Sequence, residues 1–123
     1  MPSVLERPDA DGLLETAREV LLRDLLPHLP ESKRFEARMV ANAMAIARRD
    51  AAAEEAPVLA RLRGMLAMPD AEPGALLRRL AAEIRTGERD PGRTGSAEAA
   101  EALAALTRLR CSVSNPRALG GGR

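Results

Sequence analysis

The chain has 123 residues, the length of a single domain, and 46% of them are hydrophobic while only 1% are aromatic, so its core must be aliphatic. Net charge is +1, the basic residues are interleaved with acidic ones and there is no Tyr or Trp, which argues against a nucleic-acid surface. A single cysteine, Cys111, excludes an internal disulfide, and no run approaches the ~18–20 apolar residues that a membrane span needs. Ala and Leu dominate; both favour helix and lack the branched bulk of strands, which predicts an all-α fold.

Residues 1–8 read as a loose lead-in that turns acidic at once, without the basic and apolar pattern of a leader. The expected setting is therefore the cytoplasm. Asp9 or Asp11 is placed to cap a first helix, whose Leu13, Leu14, Ala17, Val20, Leu21 and Leu25 recur at helical spacing. Glu15 with Arg18, and Glu19 with Arg23, read as surface pairs along it. Pro27 should stop that helix, and PHLPES makes a corner short enough for an antiparallel partner.

A second helix is predicted from Pro30–Ser32 to about Glu55, with Phe35, Met39, Asn42, Ala43, Ile46 and Ala47 on its inner face. Pro57 opens a third, with Val58, Leu59, Leu62, Met65 and Leu66 inward. Pro73 opens a fourth, with Leu76, Leu77, Leu80, Ala81 and Ile84 inward and Gly87 as its left-handed cap. GERDPGRTG is a loop, after which Ser96 should cap a fifth helix with Ala99, Ala102, Leu103, Leu106, Leu109 and Val113 in its stripe. The expectation is one domain over residues 1–119, five helices packed as an antiparallel bundle, and a disordered tail at 120–123.

Charge is uneven: −3 over residues 1–75 and +4 over residues 76–123. Arg78, Arg79, Arg85 and Arg89 make the fourth helix and its exit basic, read here as a solvated face. The one histidine, His28, sits between Pro27 and Pro30 in the corner, away from any pattern of nucleophile and base. One His and one Cys cannot build a zinc site, and no Glu-x-x-His pair serves a di-iron centre. Phosphate-loop and dinucleotide fingerprints are missing, and the glycines of ALGGGR precede no helix. Cys111 reads as a structural thiol. The expectation is thus no catalytic residue, no metal and no cofactor.

Asn42 is the polar exception in an apolar pattern, three residues after Met39 and four before Ile46. An inward amide needs a partner, because an unpaired one costs about 1–3 kcal/mol. A carbonyl, or Ser114 or Asn115 near the end of the chain, is the expected partner. The sharper alternative makes Arg38, Asn42 and Asn115 the lining of a small pocket for an acyl group or coenzyme A.

The runs RPDADGLLETAREVLLRDLLPHLP, FEARMVANAMAIARRD and LLRRLAAEIRTGERD, with the ending SNPRAL, together resemble the bacterial family called domain of unknown function 6285. Members show a leading RP-x-[AD]-x-x-L-L, an A-N-A helix, an R-x-G-x-x-D-like exit and an N-P-[RK]-x-L ending. The match covers residues 6–50 and 76–119, and its specific parts are Ala41-Asn42-Ala43 and Asn115-Pro116. At Ala118, relatives often carry an aromatic residue. The resemblance implies small helical domains that accompany aminoglycoside-phosphotransferase-like kinases and acyl-CoA dehydrogenases, and it names no reaction. A non-catalytic accessory protein is the expectation, with the kinase as partner, a homodimer as a further form, and neither nucleic acid nor membrane. A small-ligand binding module or weak enzyme is the alternative.

Overall fold

A computed structural model describes residues 9–120, and every regular element among them is helical. The chain divides into two compact units, Met1–Ala53 and Glu54–Arg123. The expected lead-in, and the tail apart from Gly120, lie outside the described residues.

The first unit is a helical hairpin of α1 (Ala10–Val20) and α2 (Glu31–Ala52). Asp9 caps α1, its Oδ1 accepting from the Gly12 N–H at 2.9 Å. Pro27 acts as expected, with one refinement. It has no N–H for the Arg23 carbonyl, and its ring would collide with that oxygen in a regular helix. The chain widens ahead of it into a π turn over Leu21–Leu25, then tightens to a 3-10 turn over Leu26–His28 and becomes extended at Leu29. The Arg34 Nε donates to the Leu29 carbonyl at 3.2 Å and ties the corner to the start of α2.

The inner face of α2 is not the expected one. Phe35 and Met39 are 70% and 56% exposed, and Asn42 is exposed as well; the buried residues are Ala37 and Ala41. Alanine lets the neighbouring backbone approach closely, so α1 packs along the thin line and leaves the bulky line in water. The helix also ends at Ala52, short of Glu55.

The second unit holds α3 (Ala56–Leu66), α4 (Pro73–Arg85) and α5 (Ser96–Ser114), closed by a 3-10 turn at Pro116–Leu119. α3 packs against both α4 and α5. Leu62, Leu66, Leu76, Leu80, Ala99 and Ala102 form the core, flanked by Val58, Leu59, Met65 and Leu77. This is the stripe read from the sequence, with three corrections. Leu103, expected inward on α5, is 40% exposed. Ser96 is the first residue of α5 rather than its cap, because Gly95 occupies the cap position at φ 119°. Ile84 is 42% exposed, and its neighbour Glu83 is buried in its place.

Glu83 is held from two sides. Its Oε2 accepts from Arg79 Nε at 2.9 Å, and its Oε1 from Arg89 Nε at 3.0 Å and Nη2 at 2.9 Å. Arg89 Nη1 donates in turn to the Gly95 carbonyl at 3.1 Å, so one guanidinium joins α4 to the mouth of α5. Gly87, left-handed at φ 81°, lets the loop fold back: the Gly87 N–H donates to the Ile84 carbonyl and the Glu88 N–H to the Glu83 carbonyl. Burial alone would raise the Glu83 carboxyl, but the hydrogen bonds from Arg79 and Arg89 outweigh it and hold the group below its ordinary value.

Removing the charge with Glu83→Gln leaves the enclosed Arg89 uncompensated and should cost about 3 kcal/mol in denaturant unfolding. Because the folded carboxyl titrates below 4.5, its stabilisation is complete above that pH and is lost as pH falls through the folded value. The acid-side slope of stability should flatten in Glu83→Gln. A Cβ at Gly95 would sit 2.6 Å from Arg89 Nη1 at a backbone angle that favours glycine. Gly95→Ala should therefore destabilise by more than Gly92→Ala, where φ is also positive but the space is open. Thermal melts of the two variants measure the difference.

Candidate functional site

The seam between α1 and α2 is built from arginines on a bed of alanine. Arg18 lies four residues after Leu14 and four before Leu22, so it falls inside the apolar stripe of α1. From there its Nε donates to the Ala41 carbonyl at 3.2 Å. Ala41 has no side chain long enough to shield that oxygen, which is why the contact reaches the backbone of a neighbouring helix. Further along, Arg48 grips Asp11 in a two-pronged pair, Nε to Oδ1 at 2.8 Å and Nη2 to Oδ2 at 3.1 Å, with Glu15 at 3.6 Å. Residue 11 meets 48 and residue 18 meets 41, so the two helices run antiparallel. The hydrogen bond from Arg48 lowers the Asp11 carboxyl from its ordinary value.

These contacts revise the reading of the first-helix charges. Glu15 and Arg18 do not form the expected surface pair; each turns to α2. Arg23 takes Asp24 at 3.4 Å, an exposed contact between chain neighbours, worth little. The signal for Arg18 was present in its phase, since a long cation in an apolar stripe has to reach out along it.

Beside this seam runs an open groove of about 580 Å³ lined by Asp11, Arg18, Ala45, Arg48, Arg49 and Ala52. Its lining brings three guanidinium groups together, of which Arg48 is already paired with Asp11 and Glu15. None of Arg38, Asn42 and Asn115 lines it. Arg38 and Asn42 stand one turn apart on α2, both exposed. Asn115 belongs to the second unit and is exposed at the end of α5, where its N–H donates to the Cys111 carbonyl at 2.9 Å and its own carbonyl accepts from the Ala118 N–H at 3.0 Å. Ser114 donates to the Arg110 carbonyl within α5. The amide of Asn42 is thus a solvated group, and the cost of an unpaired buried one does not arise.

The larger feature of this unit is apolar. Leu13, Val20 and Leu25 on the first limb, and Phe35, Met39 and Val40 on α2, are six of the nine large hydrophobic side chains exposed among the described residues. Among the described residues the hairpin fully buries only Ala37 and Ala41; Leu14, Leu21, Leu22 and Met44 are half-buried, and the side chains named above lie outside the seam. Sequence periodicity found the stripes but assumed that each met a partner inside the chain.

Among the described residues no group of His, Cys, Asp and Glu is arranged to hold a metal ion, and no helix is long and apolar enough to cross a membrane. No curated protein and no solved structure matches the chain. A family model does match, described as domain of unknown function (DUF6285), over residues 27–118. That span takes in the Asn42 helix, the Glu83 clamp and Asn115-Pro116, and the chain belongs to the DUF6285 family.

Proposed function

We propose that this protein is a non-catalytic accessory protein of the bacterial cytoplasm, and that its first unit carries the surface by which it docks onto another protein. The observation that supports this is the concentration of exposed, bulky apolar side chains on one small hairpin. Apolar side chains scattered singly are ordinary, whereas six on one two-helix unit support a contact surface there. The surface offers Leu13 at 57% exposure and Leu25 at 51%, with Val20 and Val40 beside them, and each contributes about 1.5–3 kcal/mol when fully covered. The partner we propose is the aminoglycoside-phosphotransferase-like kinase whose company the family resemblance implies, with acyl-CoA metabolism as the setting.

A second reading is favoured by the groove of Arg18, Arg48 and Arg49, whose cations suit the phosphates of an acyl-CoA. Against it stands the carboxylate of Asp11, already seated on Arg48.

Two measurements separate these readings. Affinity capture on the tagged full chain should recover the kinase, and Leu13→Asp with Val20→Asp should abolish recovery while Leu103→Asp, in the second unit, leaves it intact. Repeated capture without enrichment of the kinase would retire the docking reading. In a thermal-shift titration, a coenzyme A ligand at 100 times its dissociation constant would add about 2.7 kcal/mol. The docking reading expects no shift, and a shift that disappears in Arg18→Ala would favour the groove.

A further inference from the structure

The exposed line of α2 has an internal symmetry. Phe35, Met39, Asn42, Ile46 and Arg49 follow one another at spacings of four, three, four and three, which keeps them on one side of the helix. This side carries Phe35 at 70% exposure and Met39 at 56%, with Asn42 exposed and Ile46 half-buried. α2 spans residues 31–52, so Asn42 falls at its middle. A second copy of α2 laid antiparallel on the first, with the two-fold axis through Asn42, therefore overlaps the whole helix and sets the same line against itself.

We propose that this line is a homodimer interface, occupied by α2 of a second copy of this chain. The inference goes beyond the docking reading above and shares only its premise, that the exposed apolar side chains of the first unit are a contact surface, of which one part is assigned to a particular occupant.

Three features argue for a second copy rather than an unlike partner. An isologous contact requires a patch that complements itself. An amide is donor and acceptor at once, so Asn42 pairs with the Asn42 of the second copy, and each satisfies the group that association takes from water. A single Asn in an apolar helix seam also fixes register, because any slip sets the amide against a hydrocarbon side chain. The remaining layers are complementary in the same alignment: Met39 falls beside Ile46 of the second copy, and Phe35 beside the aliphatic stem of Arg49.

The size is adequate as well. The 22 residues of α2 make a helix about 33 Å long. Ile46 and Arg49 are already half-buried, so Phe35, Met39 and Asn42 with the exposed Arg38 at the flank supply most of the area, which for two copies at full coverage is on the order of 1,000 Å², the lower bound for a specific contact. Val40 lies about 140° around the helix from Phe35. It stays outside the seam, and a dimer leaves it free for the other partner.

Sedimentation or light scattering of the full chain from 5 to 500 µM (about the range of weak to firm association) should show twice the 13.2 kDa chain mass. Phe35→Glu with Met39→Glu should give a monomer with unchanged helical circular dichroism. Asn42→Asp should weaken association at neutral pH at least tenfold by facing two carboxylates. Register is read by cross-linking in a Cys111→Ser background: Asn42→Cys, on the axis, should form a covalent dimer under mild oxidation, while Glu36→Cys, about 9 Å along the helix from the axis, should not. A wild-type chain monomeric throughout, or equal cross-linking from the two positions, would overturn the proposal. A monomer that still captures the kinase would leave the docking reading standing, and a dimer that captures nothing would do the reverse.

Discussion

The close approach of α1 to the alanine line of α2 decides most of what this protein presents to its surroundings. Two helices in a hairpin have one shared seam, and whatever lines that seam is lost to other uses. Here the seam takes Ala37 and Ala41, and arginine crosses it: Arg18 to the Ala41 carbonyl and Arg48 to Asp11. Had the helix turned by about half a revolution, Phe35 and Met39 would have filled the seam and the outer face would be alanine. The observed choice exchanges apolar burial for polar cross-links and a short interhelical distance. It leaves a unit whose own interior is thin and whose outer side is apolar.

The second unit resolves the same composition differently. Its buried positions are leucines from α3 and α4 set against alanines of α5, so large and small side chains interlock. Its one buried charge is fully engaged, Glu83 between Arg79 and Arg89, and the guanidinium that neutralises it also fastens the following loop at Gly95. Such an arrangement holds a loop in one shape; all of its hydrogen-bonding capacity is turned inward. The second unit thus pairs its buried carboxylate and encloses leucine, while the first leaves more of its bulky apolar side chains exposed.

Much of this was legible in the residues. The helix count, the proline-opened starts of α3 and α4, the Gly87 cap and most of the α3–α5 core follow from spacing and from the geometry of Pro and Gly. What spacing does not decide is which of two candidate stripes a helix buries. On α2 the hydrophobic line and the alanine line both repeat at helical period, and hydrophobicity alone selects the wrong one. Glu83 was missed for a related reason. It shares a face with Leu76 and Leu80, but its counter-charge arrives from Arg89 beyond a turn, and the path of that turn is set by Gly87 and Gly95 rather than by periodicity. The pocket expected from Arg38, Asn42 and Asn115 grew from the same mistaken phase, since it required Asn42 to point inward.

The placement of Asn42 acquires a physical meaning once its exposure is known. In a lone chain the amide is solvated and costs nothing, so it does not hinder folding of the hairpin. Its cost appears only when the α2 line is covered, and then only when the covering surface cannot return two hydrogen bonds at that point. An all-hydrocarbon line of the same length would accept almost any apolar surface, in any register, including those of unfolded chains. In the dimer proposed above, one amide at the midpoint converts that indiscriminate affinity into a preference for a partner with a matching amide at a matching height. The helix thereby keeps the driving force of Phe35, Met39 and Ile46 while restricting where that force can be used, and the discrimination operates at the moment of association rather than in the stability of the fold.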